Sequence, residues 1–150
     1  DGNDLEARGY MLAAASMGST AFQKGLGGIH SLSHSIGALY NTHHGLTNAV
    51  FFPYVMDFNR SAIEEKMIRA SAYLGLKRSG YLAVREWILE TRDFFAIPHT
   101  VSEMGIDDSK LDRIETLSAA DPTASSNPIK FDEAAARQVF LKSLEGAIDF

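Results

Sequence analysis

Apolar residues recur at helical spacing along most of the chain, and the breaks between these runs mark where helices stop. From Asp4 to Gln23 no proline interrupts a stretch rich in Ala, Leu and Met, with Leu5, Leu12, Ala15 and Phe22 among its apolar positions. The pattern predicts a helix that starts near Asp4 and stops at Lys24-Gly25. After the glycine break Gly25-Leu26-Gly27-Gly28, the spacing of Ile29, Leu32, Ile36 and Leu39 predicts a second helix over 29–39. Tyr40 to Gly45 reads as a turn, and Leu46 to Asn59 as a largely buried helix bent or restarted at Pro53. An amphipathic helix is expected over Ile63–Leu74, closed by Gly75, and another over Gly80–Phe94. Thr100 with Glu103, and Ser109 with Asp112, have the form of capping boxes, the second opening a helix over Leu111–Leu117. Asp121 to Pro128 reads as a loop and Asp132 to Ile148 as a closing helix. Few segments alternate with a period of two and no longer repeat occurs, so the expected fold is all-α, a helical bundle.

Composition narrows the function classes. The 150 residues are 45% hydrophobic and 22% charged, the balance of one globular domain able to bury a core. Fourteen Lys and Arg against nineteen Asp and Glu leave a net charge of −5, which repels a phosphate backbone, so neither nucleic acid nor an anionic membrane is the expected partner. The longest apolar run, Ala49 to Met56, contains Pro53 and falls far short of the roughly 20 residues that span a bilayer. The opening Asp1-Gly2-Asn3-Asp4 does not read as the basic, then apolar, then small-residue pattern of a secretory signal. There is no cysteine, which excludes disulfides, thiolate metal sites and cysteine catalysis, restricts any metal to nitrogen and oxygen ligands, and fits a cytoplasmic location.

The chemistry concentrates at the histidines. His30 and His34, four apart on a predicted helix, share one face, and His44 follows across a turn long enough to let the next helix fold back toward them. Imidazole suits Fe(II) and Zn(II) because its nitrogen is free of its second proton above about pH 6.5. Glycines at 25, 27, 28, 37 and 45 remove side chains where a backbone must approach a ligand or another helix. His43 points away from its neighbour His44 and has no assigned role, and His99 reads as a surface residue. Ser31 stands where a zincin helix requires Glu, which disfavours metalloprotease chemistry. Phe51, Phe52, Tyr54 and Phe58 read as core, although Phe51 or Phe52 could line a pocket. Trp87 reads as packing, Lys77-Arg78 as a solvated turn, and Asp107, Asp108 and Asp112 as a solvated helix start.

The run from Gly25 through His30, His34 and Gly37, followed by Tyr40-Asn41-Thr42-His43-His44-Gly45-Leu46-Thr47-Asn48-Ala49, closely resembles the signature of the iron-containing (group III) alcohol dehydrogenases. The resemblance implies that His30 and His44 are metal ligands, for Fe(II) or else Zn(II). It implies that His34 lies beside the metal and the nicotinamide ring, in catalytic and cofactor-contacting roles. It further implies hydride transfer between an alcohol and NAD or NADP, a small alcohol or aldehyde substrate, and a homo-oligomer. The family's remaining ligands, an Asp and a His four apart on an upstream helix, have no counterpart, since Asp1 and Asp4 are followed at that spacing by Leu5 and Arg8. Gly25-Leu26-Gly27-Gly28 is not a dinucleotide phosphate loop, because it follows a helix and lacks the G-x-G-x-x-G spacing. The chain is therefore expected to be a single helical metal-binding domain, a carboxyl-terminal fragment of a two-domain dehydrogenase that is inactive alone. The alternative is a free-standing helical metal-binding or interaction module.

Overall fold

The computed structural model describes residues 2–148, so Asp1 lies outside it. Every regular element among the described residues is helical: α1 (Leu5–Phe22), α2 (Gly27–Tyr40), α3 (His44–Phe58), α4 (Arg60–Tyr73), α5 (Tyr81–Phe94), α6 (Leu111–Ala120) and α7 (Glu133–Glu145), with 3-10 helices at Ser102–Met104 and Pro122–Ser126.

Two apolar clusters hold these helices together. In the larger, Leu32 and Ile36 of α2, Val50 and Phe51 of α3, Ile114 of α6, and Val139 and Phe140 of α7 are all buried, the last two closing the bundle from the carboxyl-terminal side. Each such side chain contributes about 1.5–3 kcal/mol relative to exposure. In the smaller, α4 and α5 pack against the end of α3 through Met56, Ile63, Tyr81, Val84 and Ile88. Helices α2 and α6 approach closely because serines face each other: Ser31 Oγ donates to the Ser118 carbonyl at 2.7 Å, and Ser118 Oγ to Ser35 Oγ at 2.9 Å. Among the described residues, helix α1 buries none of its side chains and packs against no other element, leaving Tyr10, Met11 and Leu12 exposed.

The helix boundaries follow local chemistry. Asp4 caps α1 by accepting from the Ala7 amide, as its position suggests. Helix α2 begins within the glycines rather than after them, at Gly27. Helix α3 begins at His44 because His43 Nδ1 accepts from the Leu46 amide at 3.2 Å, so His43 is its N-cap and the turn shrinks to three residues. Helix α3 does not restart at Pro53 but runs unbroken to Phe58. Losing one main-chain donor there is offset by burial of Val50, Phe51, Tyr54 and Val55. The Thr100 box forms, with Glu103 N donating to Thr100 Oγ1 at 3.2 Å. The expected Ser109 cap does not: Asp107 Oδ1 takes the Ser109 amide, and α6 starts without a side-chain cap. Asp121–Pro128 is not an open loop but contains the 3-10 helix, capped by Asp121. Helix α7 stops at Glu145 because Gly146, at φ 76°, turns its N–H back to the Lys142 carbonyl.

Candidate metal centre

The buried faces of α2 and α3 fix what the opposite faces present. With Leu32 and Ile36 in the core, His30 and His34 project from the outer side of α2, where His44 at the first turn of α3 meets them. The ring centroids of His30 and His44 are 5.2 Å apart, those of His34 and His44 5.3 Å with the rings stacked, and those of His30 and His34 5.9 Å. His30 is half-buried; His34 and His44 are exposed.

Hydrogen bonds set the orientation of each ring. Asn48 Nδ2 donates to His30 Nε2 at 3.2 Å and to His44 Nε2 at 3.1 Å, so two imidazole lone pairs converge on one point. Ser33 Oγ donates to the His44 carbonyl and lies 3.2 Å from His44 Nδ1, which therefore carries the proton that leaves Nε2 free. Such a partner on the far nitrogen is what a ligating histidine requires. His34 Nδ1 lies 2.9 Å from Asp121 Oδ2, a contact from the far end of α6. Burial, then the His44 and His34 rings, hold the His30 imidazole below its ordinary value, which favours the neutral, lone-pair form. Desolvation pushes the Asp121 carboxyl up, yet the Thr123 hydroxyl and amide, with His34, hold it below the usual carboxylate range.

The donor set fits a borderline divalent cation: imidazole nitrogens whose lone pairs converge at the Asn48 amide, and no thiolate. Two polar atoms beside it, His30 Nδ1 and Asn48 Oδ1, are buried without a hydrogen-bond partner, although the Leu26 carbonyl one turn earlier still bears on His30. Among the described residues no group of three His, Asp or Glu side chains is arranged to hold a metal.

The glycines divide into two groups. A Cβ on Gly25, Gly27 or Gly28 would lie within 3 Å of Ser126, Asn127 or Phe131, so these three admit the 121–131 segment against the start of α2. Gly37 faces open space and Gly45 meets only the His43 ring, so neither is explained by packing within the chain. Of the other candidates, Phe51 and Tyr54 are core, Phe58 is partly buried, and Phe52 stands 41% exposed. Trp87, at 40%, is not the packing residue expected, because only one edge of α5 faces α3 and α4. His99 pairs with Asp93 at 2.6 Å on the surface, and Arg78 with Glu86. Residue patterning missed Ser33, Asn48 and Asp121. Asn48 could have been found, being one helical turn beyond His44; Asp121, 87 residues from His34, could not.

The chain is thus an all-helical bundle in which three imidazoles meet where α2 and α3 come together. Residues 1–144 match the carboxyl-terminal part of the Fe-containing alcohol dehydrogenase family, and the chain belongs to that family. It is 31% identical to 4-hydroxybutyrate dehydrogenase of Cupriavidus necator over 96% of this chain and 40% of that protein. It is 33% identical to NAD-dependent methanol dehydrogenase of Bacillus methanolicus over 85% of this chain and 35% of that one. The crystal structure of a 1,3-propanediol oxidoreductase superposes with a TM-score of 0.88 at 27% identity, over 95% of this chain and 39% of that one. The chain thus spans about two fifths of the length of the relatives it matches. No helix among the described residues is long and apolar enough to cross a membrane.

Proposed function

We propose that these residues form the helical, metal-binding part of an NAD(P)-dependent alcohol dehydrogenase, in which His30 and His44 hold Fe(II), or Zn(II) in its place, through their Nε2 atoms. The observation that carries this is the convergence of both Nε2 lone pairs on the single Asn48 amide nitrogen. A divalent ion bound there supplies Lewis acidity to the alcohol or carbonyl oxygen of a small substrate. The protein's share is orientation. Ser33 fixes the His44 ring, Asn48 sets the separation of the two Nε2 atoms, and His34, stacked on His44 and exposed, would contact substrate and nicotinamide and pass a proton. Further ligands and the nucleotide-binding part come from outside these 150 residues, in a cytoplasmic homo-oligomer.

The relatives' names support the reaction class, one being an NAD-dependent methanol dehydrogenase and another an NADPH-dependent butanol dehydrogenase. In the parent protein supplied with Fe(II) or Zn(II), a short alcohol should be oxidised with reduction of NAD or NADP. His30→Ala and His44→Ala should each abolish the turnover together with metal retention on dialysis. Retained metal and activity in both variants would reject the assignment. The bare chain should bind Zn(II) weakly in calorimetric titration, whereas tight binding would favour a free-standing metal module.

A further inference from the structure

We propose that Asp121 is a positioning residue that locks His34 in the Nδ1–H tautomer and so leaves Nε2 as the free lone pair of that ring.

The carboxylate is held from both sides. Asp121 precedes Pro122, which confines it to an extended backbone at φ −66°, ψ 133°. Its two oxygens have separate tasks. Oδ1 accepts from the Thr123 amide at 2.8 Å and from the Thr123 hydroxyl, capping the 3-10 helix Pro122–Ser126. Oδ2 accepts from His34 Nδ1 at 2.9 Å. The other end of the same helix is pinned to the start of α2 by Ser126, whose Oγ accepts from the Leu26 and Gly27 amides at 3.1 and 3.0 Å. The carboxylate therefore cannot drift along α2. An ionised carboxylate only accepts, so the ring nitrogen facing it must carry the proton, and in a neutral imidazole the other nitrogen then has none. Asp121 is the more buried partner, its side chain 15% exposed against 41% for His34, which makes it the fixed member of the pair.

The tautomer assignment stands on this geometry alone; its catalytic consequence rests on the dehydrogenase reading above. Asp121→Asn separates the two tasks, since an Asn oxygen caps as well as Asp while its NH2 can only donate. Long-range proton–nitrogen NMR correlation of the 15N-labelled chain at about pH 8, where imidazole is neutral, reads the tautomer directly. Wild type should give His34 as Nδ1–H, and Asp121→Asn should convert it to Nε2–H with an unchanged urea midpoint. Asp121→Ser, which retains a capping oxygen and lacks the second one, should lose the exclusive Nδ1–H form. A wild-type His34 protonated on Nε2, or an unaltered His34 tautomer in both variants, overturns the proposal. In the parent enzyme the Asn variant should lose roughly 10²-fold in kcat with KM little changed. A converted tautomer with intact kcat would count against the catalytic role of His34 and leave the role of Asp121 standing.

Discussion

Gly28 illustrates how much one missing carbon decides. A Cβ there would sit 2.7 Å from Phe131 Cε2, and that ring is buried and cannot swing aside. Gly28→Ala should cost about 1–3 kcal/mol by overpacking, read as a lower urea midpoint with unchanged slope. Gly37→Ala, inside α2 and facing open space, should instead raise the midpoint, by about 0.5–1 kcal/mol of added stability. His30 makes a second prediction at this scale. Its imidazole is held below the ordinary value of 6.5, chiefly by burial and then by the His44 and His34 rings. The unfolded chain takes up that proton first, so the stability His30 contributes is whole above pH 6.5 and is lost as pH falls from there toward the folded value. The metal-free chain should therefore unfold at lower urea at about pH 5.5 than at about pH 7.5, and His30→Gln should flatten that slope. An equal slope in the variant would reject the assignment. The i, i+4 spacing made the shared face of His30 and His34 legible from sequence, because helical geometry alone brings them together. The proton positions were not legible, because Ser33 and Asp121 reach the rings through tertiary contacts.

Between elements, the decisive contact is a helix start capped by another segment. The Leu26, Gly27 and Gly28 amides have no capping side chain of their own; Ser126 Oγ and Asn127 Oδ1 satisfy them from about a hundred residues downstream. Asn127 also exchanges amide hydrogen bonds with Asn59 at the end of α3, at 2.8 and 2.9 Å, so one side chain ties α2 to α3. Ser126→Ala should cost about 1 kcal/mol, as for a lost N-cap. Asn127→Ala, which strands the amide of buried Gly28 and the buried Asn59 side chain, should cost about 1–3 kcal/mol, both measured by urea unfolding. Existence and order of the helices followed from apolar spacing, and the α1 and α5 starts from Asp4 and Gly80. What spacing hid were the ends set by exchange with distant partners: the glycines read as a break belong to α2, and the loop read at 121–128 is a 3-10 helix. His43, which had no role in the sequence, caps α3.

The molecule divides into a packed bundle and a helix that stands apart. Since α1 buries nothing, its hydrogen bonds are supported only by local propensity, and an isolated helix of this length is marginal in water. Hydrogen exchange of the chain should therefore proceed fastest in α1 and slowest around Leu32, Val50 and Phe140; protection of α1 equal to that of α3 would mean that its apolar side is covered in solution. The bundle, in turn, builds its histidine centre late. His30, His34 and His44 lie in the first third of the chain, yet the groups that hold α2 in register, Asp121, Ser126 and Asn127, lie in the last. During synthesis the imidazoles emerge long before their supports, and the long loop must close before either contact can form. The centre is thus completed only late in translation: α2 and α3 can pair as a nascent hairpin, but the tautomer of His34 and the seating of α2 wait for residues 121–127.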